Sequence, residues 1–304
     1  MESARTGVLA MIAACVIWGL SPLYYKLLSH VPPLEVLAHR TLWSLVSFAG
    51  LLAAQGRLRL LGGALGAPRA FSLTAFAAIM ISTNWFLFIL SVQIGRTTEA
   101  SLGYYIFPLV AVLLGVLAFG ERLAWLQWAA VALAVAAVAV MTVGEGVAPW
   151  IPLVIAFTFG MYGLVKKGLT VGPVVSVTGE VAILAPLALG WLAWTHAQGP
   201  GAFGSDPSTT ALLMVSGPLT AAPLMLFSRA ATRVRYATVG LIQYLNPTLQ
   251  FFCAVAIFAE PFTPTHAAVF GLIWAALALY SVSAFASDRA RRKRPITSSA
   301  EPPA

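Results

Sequence analysis

Two ionisable side chains lie well inside apolar runs, where a charge is expensive and a functional role is the first thing to weigh. Arg40 is seven residues past Pro33, and Glu180 is seven residues past Pro173, an offset of 140. At 1.5 Å rise per residue each falls about 10 Å from the surface its helix starts at. A guanidinium can hold a carboxylate through two parallel hydrogen bonds, and a carboxylate can hold an amine. Flanking a central cavity, the two would suit a zwitterion such as an amino acid. Glu180 is also a candidate proton carrier, which leaves proton coupling open. The competing reading is that the two charges pair with each other or with backbone and simply hold helices together.

Polar and aromatic residues in the same kind of run extend the candidate set. Tyr105 and Tyr244 each precede a proline, Pro108 and Pro247, by three residues. A proline within a helix frees a carbonyl one turn back, so these tyrosines could line a mixed cavity with Gln243, Asn246 and Asn84. Trp85 and Trp18 are further candidates, because an indole buried mid-span needs a polar partner. Interhelical packing is the alternative for all of them. Lys26 ends the first apolar run, where it could serve the site or reach the headgroups. Glu35 and His39 fall near the outer end of the second run, where water access is expected. Gly19, Gly103, Gly160 and Gly163 would allow close helix approach. Trp125, Trp128, Trp150 and Trp194 fit an interfacial belt.

The elements that must position these residues follow from composition. The chain of 304 residues is 60% hydrophobic and 9% charged, with mean hydropathy +0.87. Soluble domains carry about 25% charged residues, so a soluble enzyme, a nucleic-acid-binding domain and a disordered chain are all disfavoured. Stretches free of Asp, Glu, Lys and Arg run over 6–25, 41–56, 70–95, 100–120, 123–144, 146–165, 181–205, 207–228, 236–259 and 261–287. The second and seventh extend backwards to take in Arg40 and Glu180. Strand-type alternation is absent. The expected fold is therefore all-α and integral to the membrane, with ten transmembrane helices.

With the N-terminus in the cytoplasm, fifteen of the eighteen basic residues fall inside. Only Arg96 falls outside, while Lys26 and Arg40 lie in or near the membrane. This asymmetry places both termini in the cytoplasm and reads the +8 net charge as topology rather than nucleic-acid binding. The first span is expected to be retained rather than cleaved as a leader. Cys15 and Cys253 lie in apolar runs and make neither a disulfide framework nor a metal site. No GxxxxGK[ST], HExxH or GxSxG motif occurs, which disfavours direct ATP use and the common hydrolytic chemistries.

Internal similarity divides the chain. At an offset of 139, Leu102 matches Leu241, Tyr105 matches Tyr244, Pro108 matches Pro247, Phe119 matches Phe258 and Glu121 matches Glu260. Five spans per unit is odd, so the second copy enters the bilayer upside down. The expected organisation is a first five-helix repeat over 1–145, a second over 146–287, and a disordered basic cytoplasmic tail over 288–304. Inverted repeats suit alternating access to a midplane site. Glu121, beside Arg122, and Glu260 are read as caps or ion pairs at the repeat junctions, or as gate latches.

Gly120-Glu121-Arg122-Leu123 after an apolar helix resembles the EamA family of the drug/metabolite transporter superfamily, and within it the chain is similar to RarD-type permeases. The stretches that carry the likeness are Trp18 to Leu27, His39 to Ser44, Asn84-Trp85, Ser101 to Ile106, Pro223-Leu224 and Gln243-Tyr244. The RarD pattern commonly has Asn before the proline of the fourth span, where this chain has Phe107. Asn246 precedes the matching proline in the ninth. The resemblance implies a ten-helix export-type permease of the bacterial inner membrane with a small-molecule substrate and no cofactor, and family naming links it to chloramphenicol. Import, a channel and an intramembrane enzyme are the alternatives, and the oligomeric state stays open.

Overall fold

The computed structural model describes residues 2–120, 123–146, 148–234 and 236–293. Glu121 and Arg122 lie outside the described residues. The described chain is helical with no strand. In order, the helices are α1 (Glu2–Leu27), α2 (Pro33–Ala54), a short α3 (Leu61–Leu65) after a 3₁₀ turn (Leu58–Leu60), α4 (Pro68–Gln93), α5 (Thr97–Phe119), α6 (Trp125–Glu145), α7 (Trp150–Lys166), α8 (Pro173–Gln198), α9 (Pro207–Ala231), α10 (Tyr236–Gln243), α11 (Leu245–Phe252), a π turn (Cys253–Ile257) and α12 (Pro264–Lys293). Among the described residues nine helical segments are long and apolar enough to cross a membrane, and α7, with 17 residues, is a shorter apolar helix.

Several boundaries have a local cause. α2, α4, α8 and α9 each carry proline in the first turn, where its missing N–H costs nothing and its fixed φ suits a helix. Asp206 caps α9 by accepting from the backbone N–H of Ser208 and Thr209. α8 takes in Glu180 as expected but stops at Gln198, earlier than the apolar run to 205. The remainder forms a loop over the start of α2, and there it buries Glu35 and His39. The Ala202 N–H donates to Glu35 Oε1 at 2.6 Å, and the Phe203 ring stacks on His39 at 4.9 Å. The water access expected at these two residues is therefore absent. α12 continues as helix to Lys293, six residues into the expected disordered tail. Residues 294–304 lie outside the described residues.

Helix starts in the two halves keep nearly one spacing. Pro33 and Pro173 differ by 140, while Pro68 and Pro207, Thr97 and Tyr236, and Trp125 and Pro264 each differ by 139. Packing is exchanged in the same way. α1 packs on α9 as α7 packs on α4; α1 packs on α11 as α7 packs on α5; α2 meets α8, and α6 meets α12. Close approach is set by small residues. A Cβ on Gly103 would sit 2.9 Å from Ile155 Cβ and from the Pro152 carbonyl oxygen, and one on Gly19 would sit 2.6 Å from Leu249 Cβ. Gly160 likewise faces Leu114 at 2.9 Å, but Gly163 has open space around it and serves no such contact. Trp125, Trp128, Trp150 and Trp194 are exposed on the outside of the bundle, and Cys15 and Cys253 are buried free thiols.

Candidate functional site

A cavity of about 220 Å³ lies where the helices of both halves converge. Its polar floor is Arg40 of α2, only 7% exposed. The guanidinium carbon stands 4.0 Å above the Trp85 ring centroid and 5.7 Å from that of Tyr25. Arg40 Nε donates to Thr220 Oγ1 at 3.1 Å, and the Thr220 hydroxyl donates back along α9 to the Ser216 carbonyl at 2.9 Å. Trp85 and Thr220 thus hold the guanidinium by one face and one edge. Trp18, Phe88, Tyr104 and Phe159 supply aromatic wall, while Gln243 and Asn246 line the opposite side.

Not every amide on the wall is free to act. Asn84 Nδ2 donates to the Ile155 carbonyl at 2.9 Å and to Thr158 Oγ1 at 3.3 Å, and its Oδ1 accepts from the Tyr104 hydroxyl at 2.7 Å. That residue is committed to tying α4, α5 and α7 together. Gln250 Nε2 donates to Asn246 Oδ1 at 2.9 Å, while Gln250 Oε1 is buried without a partner. A wider chamber of about 440 Å³ shares Tyr104, Phe159, Gln243 and Asn246 with the cavity, and reaches Tyr244, Tyr280, Lys167 and the exposed Leu241.

This bundle and its cavity can be set beside known proteins. A family model described as "EamA-like transporter family" matches residues 5–143. Protein RarD of Streptomyces exfoliatus is 44% identical over 95% of this chain and 92% of its own length. The chain belongs to the EamA-like transporter family. It is a RarD-type member and, as such, a membrane transporter of the drug/metabolite type. An uncharacterized transporter of Vibrio cholerae is 38% identical over 96% of this chain and 97% of its own. A solved crystal structure shares the fold with TM-score 0.58 at 18% identity, covering 91% of this chain and 97% of the other.

Within this family member the remaining sequence candidates separate. Glu180 is 0% exposed and does not line the cavity. It forms an ion pair with Lys166, accepts from Ser176 Oγ at 3.0 Å and from the Tyr162 hydroxyl at 3.1 Å. Tyr162 itself is on the cavity wall, so the carboxylate stands one side chain behind it. Arg40 and Glu180 are not partners. Tyr105 shares a short hydrogen bond with Thr248 at 2.6 Å and packs edge-on against Phe270 and Trp274, away from the cavity. Tyr244 lines only the wider chamber. Lys26 is exposed at the end of α1, 5.4 Å from the Phe258 ring.

Three features were not read from the sequence. The positive-inside rule accounts for Lys166 as a charge at the cytoplasmic end of its run and gives no sign that it pairs with Glu180. Thr220 and Gln250 are common helix residues whose role appears only when α9 and α11 face α2. Glu260 is buried and caps α5: Oε1 accepts from the Thr97 N–H and Oε2 from the Thr98 N–H, both at 2.8 Å. The cap reading for Glu260 was available from sequence, but its partner helix was not.

Proposed function

We propose that this chain is a ten-span secondary transporter of small organic molecules, built from two inverted five-helix halves over 1–145 and 146–287. It works by alternating access and moves its substrate outward across the bacterial inner membrane, with both termini in the cytoplasm. The single observation that carries this reading is the cavity around Arg40, walled by helices of both halves. A site at the junction of two repeats is where rocking one half against the other exposes it to either side.

The repeat reading has support beyond the sequence identities. Helix starts recur at 139 or 140 residues, and the packing partners exchange between halves, as a two-fold relation requires. Gly120 and Ala259, also 139 apart, both adopt positive φ, +64° and +52°. Each directly precedes the glutamate matched between repeats, and glycine is the residue ordinarily needed there. The wider chamber reaches Lys167, just past the end of α7, a position that the charge rule assigns to the cytoplasm. The Glu260 cap lies at the opposite end. This arrangement suits loading from the cytoplasmic side.

In this reading Glu180 acts from behind the wall, holding Tyr162 in place, and it remains the candidate for proton coupling. Reconstitution into liposomes tests the proposal. Saturable counterflow of at least one labelled solute from a panel of organic acids, amino acids and drugs including chloramphenicol, with pH-gradient-driven uptake as a second arm, is the expected result. Linear, non-saturating flux without counterflow would indicate a channel, and no flux with any solute while a purified sample turns one over would indicate an enzyme.

A further inference from the structure

We propose that the cavity selects small monoanionic substrates, organic carboxylates with a flat apolar body, over cationic, neutral or zwitterionic molecules of the same shape. The proposal rests on reading this cavity as the permease's substrate site and names the class of molecule it takes.

The argument starts from charge balance. Arg40 carries a guanidinium, is only 7% exposed, and lies within 4 Å of no carboxylate among the described residues. Every described carboxylate that could have served is committed elsewhere. Glu35 holds the Ala202 N–H, Glu99 pairs with Arg96, Glu145 faces His266, Glu180 pairs with Lys166, Asp206 caps α9 and Glu260 caps α5. A cation buried without a counter-ion is costly, and an anionic ligand is what relieves it.

The geometry adds the shape of that anion. Trp85 covers one face of the guanidinium and Thr220 takes Nε. The two terminal nitrogens have no protein acceptor among the described residues and are not sealed from the cavity. What remains is an edge of in-plane donors, and a planar carboxylate matches it bidentately. The same cavity is lined by Trp18, Phe88 and Phe159, a surface for an apolar ring. The Gln243 side chain adds a neutral polar group to the lining.

The wall offers an ammonium only neutral contacts, the aromatic faces and the Gln250 Oε1, and no carboxylate among the described residues lines it. Glu180 stands behind Tyr162 and is already paired with Lys166. An amino acid would therefore bring an uncompensated positive charge into the cavity.

The test is a charge series on one ring. Purified protein in detergent is titrated with phenylacetate, phenylacetamide, 2-phenylethylamine and L-phenylalanine, with tryptophan fluorescence and thermal shift as readouts. Phenylacetate is expected to bind roughly tenfold or more tightly than each of the others, the scale of one charge-assisted bidentate contact. Arg40→Gln should abolish the preference, and Arg40→Lys should retain a weakened one. Equal binding of the amide, the amine or phenylalanine would overturn the proposal, as would silence of the whole panel at millimolar concentration. The wild-type series stands even if the Arg40 variants fail to fold. The permease reading is scored separately by counterflow in liposomes. Phenylacetate binding without counterflow would sink that reading and leave the charge preference intact, whereas counterflow indifferent to charge would do the reverse.

Discussion

Removing one member of the Lys166–Glu180 pair should have unequal consequences at its two ends. The Lys166 side chain keeps 22% exposure, while Glu180 keeps none. If Lys166→Met is made, the Glu180 carboxylate loses its counter-ion in a site with no water access and keeps only the Ser176 and Tyr162 hydroxyls. Breaking a buried pair from one side costs about 3–5 kcal/mol, and this is the more buried side. If Glu180→Gln is made, the amide oxygen can accept from one of the two hydroxyls while its NH2 donates to the other, and the lysine stem can swing its ammonium outward. The expected cost is about 1–2 kcal/mol, the scale of a lost charged hydrogen bond. Lys166→Met with Glu180→Gln should recover most of the loss, because no unpaired charge remains. SDS-titrated unfolding of the three variants gives the cycle. At about 1.4 kcal/mol per tenfold, Lys166→Met alone should shift the folded-to-unfolded ratio by at least a hundredfold. Counterflow measured in parallel should survive in Glu180→Gln. Equal costs for the two single variants, or additive costs in the double, would refute the account of Glu180 as a buried carboxylate held by its lysine. A stable Glu180→Gln protein without counterflow, or without response to a pH gradient, would show that the carboxylate itself takes part in transport.

Ala259 holds a positive φ that glycine adopts freely, so Ala259→Gly should raise unfolding stability by up to about 1 kcal/mol, and a loss in the same SDS titration would contradict the backbone argument. Gly103→Ala should lower stability by about 1–3 kcal/mol through its clash with α7, whereas Gly163→Ala, in open space, should be neutral or stabilising by up to about 1 kcal/mol through helix propensity; the pair of substitutions made in one background checks the packing map. At Asp206, hydrogen bonds from Ser208 and Thr209 hold the carboxyl well below the usual carboxylate range. The α9 cap therefore contributes its full stability above the ordinary carboxylate pKa of about 3.9 and loses it as pH falls through the depressed folded-state value. Wild type should accordingly exceed Asp206→Ala in thermal stability at pH 7, the gap closing only in strong acid, and a gap that vanished between pH 5 and 6 would refute the cap.

Much of this molecule was legible along the chain because its causes are local. Burying a helix in lipid takes a long apolar run, so composition alone marked the spans from Arg5–Leu27 to Pro264–Ser283. Prolines stand in the first turns of α2, α4, α8 and α9, where they favour a helix start. Arg40 could be singled out because a charge within such a run is rare whatever surrounds it. The partner of each charge could not be read, since that depends on which helix faces which across the bundle. Arg40 and Glu180 look equivalent at an offset of 140, yet α9 offers Arg40 only a hydroxyl while α7 offers Glu180 an ammonium. Tyr105 and Tyr244, matched by the repeat, part for the same reason, one turned into the α12 interface and the other onto the wider chamber. Sequence determined which groups would be expensive to bury. Tertiary contact decided which of them were neutralised and which, in Arg40, was left with its charge facing an open cavity.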